Sequence, residues 1–252
     1  MPTALLRSIP DSFTHAITGP RGRAPDVEEA RIQHARYRDH LEASGYEIEV
    51  LDADESHPDC VFIEDTSVIL GSIALITRPG AESRRGETPP VARFLSARFE
   101  LVTMEAPGTL DGGDVMVIGD TVWIGLSTRT NQEGARQLAA VATGHGLRTM
   151  EVPVTGALHL KSAVSPVGDD AVVVTPGTVD QGLLAGLDLI AEAESERHRF
   201  SALPLHSGAV MVTEGTPETT ALVAQLGREV VAIDVSEIQA ADGGLTCMSI
   251  LF

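Results

Sequence analysis

Val115-Met116-Val117-Ile118-Gly119-Asp120-Thr121-Val122-Trp123-Ile124-Gly125 reads as two short apolar strands joined by a Gly-Asp turn, a β-hairpin. A helical pattern over 131–143 follows, capped by Thr130 or Asn131, and then a strand over 148–152. Hairpin, helix and strand recur along the chain. The helix over 27–44 starts behind Asp26, ends at Gly45 and leads to a strand over 46–51. Strands over 67–70 and 73–77 precede a helix over 90–97 and a strand over 99–103. Further strands are expected over 4–7, 159–164, 171–174, 201–205, 210–213 and 230–234, with helices over 180–190 and 218–226. The segment 246–252 closes the chain. The period is roughly fifty residues, so about five units fit, which suggests an α/β solenoid or propeller-like array over one domain, 1–252. No Pro/Ser linker or charge block divides the chain.

The composition bounds the partners. The 252 residues carry a net charge of -18, which disfavours a nucleic-acid backbone or an anionic membrane. A cationic small molecule is compatible with that charge. Hydrophobic residues make up 43% and aromatics 4%, so the core is aliphatic. Two cysteines are no disulfide framework, and no signal segment or membrane-length apolar run is present, so a reducing cytoplasm is expected. There is no H-E-x-x-H, C-x-x-C or phosphate-binding glycine fingerprint, so neither metal nor cofactor is expected.

Five polar clusters interrupt the apolar runs. Asp242-Gly243-Gly244-Leu245-Thr246-Cys247 places a cysteine behind two glycines, with an acid upstream and hydroxyls on both sides, the surroundings of a nucleophile rather than of a core thiol. Asp59-Cys60-Val61-Phe62-Ile63-Glu64-Asp65-Thr66 reads as a solvated turn or as the floor of a cation pocket. Leu110-Asp111-Gly112-Gly113-Asp114 reads as a turn, or as a carboxylate projected into a site. Thr130 or Asn131 explains itself as a cap, whereas Arg129 has no local role and could clamp a carboxylate. Leu158-His159-Leu160-Lys161 offers a general acid/base.

Together these clusters, with Ile76-Thr77-Arg78-Pro79-Gly80-Ala81-Glu82-Ser83-Arg84-Arg85-Gly86-Glu87, resemble the dimethylarginine dimethylaminohydrolases of the guanidine-modifying (pentein) superfamily. The resemblance runs in register over nearly the whole chain. It implies a five-bladed α/β propeller around a central site, and hydrolysis of Nω-methylated arginine to citrulline and an amine. It also implies Cys247 as nucleophile, His159 as acid/base and Asp111 as its orienting acid. Asp65, with Glu64 beside it, would grip the guanidinium. Arg84 (or Arg85, one residue on) and Arg129 would hold the α-carboxylate, while Asp59 and the Ile17 carbonyl would hold the α-amino group. Phe62 would wall the pocket, and Asp242 matches an acidic position without a defined role. Gly19 and Gly22 would let the loop near Ile17 move. Propeller rims often pair, so a homodimer is compatible. Arginine deiminase is the nearest alternative, but that family carries an acid where this chain has Lys161. A cationic amino-acid binding protein on the same scaffold is the non-enzymatic alternative.

Overall fold

Strands β1 (Thr3–Arg7), β4 (Ile73–Ile76), β7 (Thr121–Leu126), β10 (Ala171–Val174) and β13 (Val210–Thr213) are almost wholly buried. Each is a largely apolar run rather than an alternation, as expected of a strand covered on both faces. In the computed structural model, which describes residues 1–19 and 23–252, each forms the middle of a three-stranded sheet. Gly22 lies outside the described residues.

One neighbour of each middle strand is antiparallel: β15 (Ser249–Leu251), β3 (Ser67–Leu70), β6 (Val115–Ile118), β9 (Val164–Pro166) and β12 (Ala202–Pro204). The other is parallel: β2 (Glu47–Leu51), β5 (Glu100–Thr103), β8 (Arg148–Pro153), β11 (Asp188–Ala191) and β14 (Val230–Ile233). The five antiparallel partners surround one central cavity lined by Val68, Met116, Pro166, Leu203 and Ile250. They are therefore the inner strands of a five-bladed propeller. The parallel partners form the outer rim and are mostly exposed or half-buried. Glu47, Glu49, Glu100, Arg148 and Asp188 on these edges discourage pairing with another chain.

A crossover joins each middle strand to its outer one. It contains α1 (Val27–Ala43), α2 (Thr88–Leu95), α3 (Gln132–Gly144) or α5 (Pro217–Ala224) in four blades. Asp26 caps α1 by accepting from the Glu28 and Glu29 amides, and Asn131 caps α3 by accepting from Gly134. Gly45 follows α1 at φ +92°, the left-handed stop that ends many helices. The first blade is assembled from both ends of the sequence. Ala4 pairs with Leu251, and Phe252 donates to the Thr3 carbonyl at 3.0 Å.

Two expected elements differ. The helix over 180–190 is instead a 3-10 turn, Gln181–Leu184, followed by β11. Gly182 and Gly186 weaken a helix there, Gly186 sits at φ +98°, and the fourth sheet needs its outer strand. The strand over 159–164 begins only at Val164, because residues Leu160–Ala163 form a single helical turn, α4. The Leu160 amide is taken by Asp114 Oδ1 at 2.8 Å and is lost to any strand ladder. A further short helix, α6 (Ser236–Ala240), delivers the chain to Asp242. Among the described residues no helix is long and apolar enough to cross a membrane.

Candidate active site

Four of the five inner strands are preceded by one turn of helix, and each turn brings a chemically useful side chain to the same end of the propeller. Asp65 lies in the 3-10 turn Ile63–Thr66 before β3, and Asp111 precedes the turn Gly112–Asp114 before β6. His159 precedes α4 before β9, and Cys247 lies in the turn Thr246–Met248 before β15. The crossovers after three middle strands add Ile17, Arg84 and Arg129. One pocket is lined by Cys247, His159, Asp65, Asp59 and Phe62, together with Ile17, Arg84, Arg129 and Asp242. Asp111 stands behind His159, fully buried.

His159 Nε2 lies 3.0 Å from Asp111 Oδ2, which fixes the ring. Asp111 Oδ1 accepts from the Gly80 amide at 2.8 Å. Burial opposes a charge on the imidazole, but Asp65, Asp111 and Asp114 outweigh it and raise its pKa to about 9. His159 is therefore an imidazolium at neutral pH. The half-buried Cys247 thiol is pushed up to about 12 by burial and by the Glu64 and Asp65 carboxylates. Its Sγ accepts from the Gly244 amide at 3.3 Å. The resting pair is thus thiol and imidazolium.

Asp65 is also buried. Burial works against its charge, yet His159, Arg84 and the Gly113 amide hold its pKa at about 2. Its Oδ1 accepts from Gly113 at 2.9 Å and its Oδ2 from Arg84 Nη1 at 2.5 Å. An anionic carboxylate thus lines the same pocket as Cys247. Glu64, its neighbour, does not line this pocket. It turns into the central cavity, where it pairs with Lys161 and accepts from Thr246 Oγ1 at 2.9 Å. Adjacent residues of a 3-10 turn project on different sides, so Glu64 and Asp65 part company.

The two arginines are unequal. Arg84 is buried and committed: Nε and Nη2 bond Glu87, Nη2 bonds the Phe62 carbonyl at 2.9 Å, and Nη1 holds Asp65. Arg129 makes no guanidinium hydrogen bond among the described residues, and its nearest carboxylate is Asp111 Oδ2 at 3.9 Å. It is the arginine available to an incoming anion. Arg85 bonds the Pro79 carbonyl and Glu82 near the surface, outside the pocket lining.

Asp59 Oδ1 accepts from the Ile17 amide at 3.0 Å, bringing a carboxylate and the Ile17 backbone together at one end of the pocket. Phe62 packs edge-on against Phe13, with ring centroids 5.8 Å apart. Asp242, at φ +59°, accepts from the Gly19 amide and so ties down the segment carrying Ile17. Asp65, Asp111 and His159 are the one group among the described residues placed to surround a metal ion. Their atoms already serve Arg84, Gly113, Gly80 and one another.

A sequence profile described as N,N dimethylarginine dimethylhydrolase, eukaryotic, matches residues 22–251. The N(G),N(G)-dimethylarginine dimethylaminohydrolase of Pseudomonas aeruginosa is 37% identical over 250 residues, covering 98% of this chain and 96% of that protein.

The chain belongs to the dimethylarginine dimethylaminohydrolase family.

The Streptomyces coelicolor member is 38% identical over 246 residues and covers 91% of each chain. The P. aeruginosa member, solved as a cysteine-to-serine mutant complexed with citrulline, superposes with a TM-score of 0.95 at 34% identity, covering 99% of this chain and 98% of that one. Of the residues to which the sequence points, nine line the pocket and Asp111 is buried behind it. The sequence does not point to Asp114, whose signal is the second acid of the D-G-G-D stretch, or to the pairing of Lys161 with Glu64.

Proposed function

We propose that the 252-residue chain is a single catalytic domain that hydrolyses Nω-methylated L-arginine to L-citrulline and methylamine or dimethylamine. The observation that carries the reading is one pocket in which Cys247, an Asp111-braced His159 and the anionic Asp65 converge. The substrate guanidinium sits against Asp65 and brings a positive charge beside Cys247. That charge offsets the carboxylates that hold the thiol protonated, so substrate promotes loss of the thiol proton to solvent, His159 being already protonated, and leaves the thiolate. Thiolate ultraviolet absorbance titrated with and without a cationic ligand checks this; an unchanged midpoint contradicts it.

The Cys247 sulfur then bonds to the guanidinium carbon. His159 delivers its proton to the methylated nitrogen as the carbon–nitrogen bond breaks and the amine leaves. The product on the enzyme is an S-alkylthiouronium. Neutral His159 next takes a proton from water, the oxygen adds to the same carbon, and collapse expels the Cys247 sulfur to give citrulline. Water is the only co-reactant. Asp59 and the Ile17 carbonyl receive the α-ammonium group, Arg129 is the principal clamp for the α-carboxylate with Arg84 beside it, and Phe62 walls the aliphatic chain.

Arginine deimination is the competing reading. The Lys161–Glu64 pair weighs against it, because it turns a second carboxylate away from the guanidinium. An unsubstituted guanidinium has more N–H donors than a methylated one and more use for that carboxylate. The test is citrulline release from asymmetric dimethylarginine, monomethylarginine and arginine, with Cys247→Ser as control. Release from the methylated substrates alone supports the reading; release mainly from arginine replaces it with deimination.

A further inference from the structure

Asp114 is fully buried at the end of the 3-10 turn before β6, and both of its oxygens are engaged. Oδ1 accepts from the Leu160 amide at 2.8 Å, one residue from His159. Oδ2 accepts from Ser127 Oγ at 2.6 Å and from Thr130 Oγ1 at 2.7 Å, the two residues that bracket the Arg129 turn. Ser127 Oγ in turn accepts from the Arg129 amide at 3.0 Å, and Thr130 Oγ1 accepts from the Asp111 amide at 3.2 Å. A Cβ at Gly125 would lie 2.5 Å from Asp114 Oδ1 and 2.8 Å from Leu160 Cβ, so the strand is stripped of a side chain where the carboxylate passes. One carboxylate thus ties the His159 turn, the Arg129 turn and the Asp111 backbone together.

We infer that Asp114 is a positioning residue that couples acid–base chemistry at His159 to substrate anchoring at Arg129. The inference rests on the dimethylargininase reading for its kinetic consequences, but the coupling itself is structural. Small displacements at reacting centres are costly, and here a single group sets two of them. Its charge matters as well as its hydrogen bonds. The charged and titratable groups around His159 are Asp65 before β3, Asp111 and Asp114 before β6, Arg84 and Arg129 from the crossovers, and Cys247 before β15. Asp114 is one of the carboxylates that favour the imidazolium.

Asp114→Asn keeps the shape and removes the charge, while Ser127→Ala removes the hydroxyl that bridges Asp114 to the Arg129 and Thr130 amides and leaves the Leu160 link intact. Two readouts are needed: kcat and KM for asymmetric dimethylarginine, and the His159 titration followed by NMR on histidine-labelled protein, assigned with His159→Gln. Asp114→Asn is expected to lower kcat by about 100-fold, to raise KM by about 10-fold, and to move the His159 midpoint down toward the ordinary histidine value of about 6.5. Ser127→Ala is expected to raise KM several-fold and to leave the titration where it was. A merely structural Asp114 would lower thermal stability and leave the midpoint and the kinetic constants of the folded fraction unmoved; that result overturns the inference. Equal behaviour of the two variants overturns it too. Should Asp114→Asn not fold, an unchanged KM in Ser127→Ala is sufficient to reject it. A wild-type enzyme that releases no citrulline rejects the functional reading instead, and the NMR arm still decides the coupling.

Discussion

Gly113 shows how little room the chemistry leaves. A Cβ there would lie 2.6 Å from His159 Nδ1 and 3.0 Å from Asp65 Oδ1, between acid/base and anion. Gly113→Ala is therefore expected to cut kcat/KM by about 100-fold or more with the circular dichroism spectrum unchanged; near-normal turnover would show that this contact relaxes freely. Lys161 and Glu64 pose the opposite problem, a charge pair out of water with side chains 14% and 12% exposed. Lys161→Met strands the Glu64 carboxylate, and loss of one partner from such a pair costs about 3–5 kcal/mol, readable as a lower urea midpoint. Cys247 is legible from its own neighbours, whereas His159 and Asp111 are legible only through the family resemblance, since their local segments read as well as a strand and a turn. The unequal roles of Arg84 and Arg129 are not legible, since they depend on Glu87 arriving beside one guanidinium and no carboxylate closer than 3.9 Å to the other. Asp114 is hidden for a different reason: its side-chain partners Ser127, Thr130 and Leu160 lie 13, 16 and 46 residues away.

Helices α1, α3 and α5 and the five middle strands were readable because periodicity and caps agree with tertiary placement. The segment 180–191 was not, because its leucines satisfy a helical pattern while β10 demands a strand partner. Gly186 marks the decision. Its φ of +98° excludes side chains on backbone grounds alone, with no atom within 4 Å of an added Cβ. Gly186→Ala should cost about 1 kcal/mol in chemical denaturation with activity retained, the element lying outside the pocket lining. A neutral result would mean that the turn adjusts its backbone without strain. Helix α4 teaches the complementary lesson: a buried carboxylate that captures one amide converts an expected strand into a turn and sets the position of the preceding histidine.

The molecule as a whole is a ring closed by its own termini, and the closing strand β15 begins two residues after Cys247. The repeat explains the site. Each blade starts its inner strand at the same end of the axis, so side chains 46 and 48 residues apart, Asp65, Asp111 and His159, meet in one place. Folding and catalytic assembly are therefore linked through titration. The His159 pKa is raised in the folded state from 6.5 to about 9. Its contribution to stability is fully present below pH 6.5 and is lost as pH rises through about 9. The melting temperature should fall across that window, and the His159-dependent part of the fall should vanish in His159→Gln; an identical decline in both proteins would place its origin elsewhere. The central claim is that Cys247 carries the substrate carbon during turnover. Its most direct test is acid quenching of the enzyme during turnover of asymmetric dimethylarginine, followed by peptide mapping by mass spectrometry. The account predicts an S-alkylthiouronium adduct on the peptide containing Cys247, absent from Cys247→Ser. Citrulline formation by the Cys247→Ser variant, or an adduct on Cys60 in its place, would contradict it.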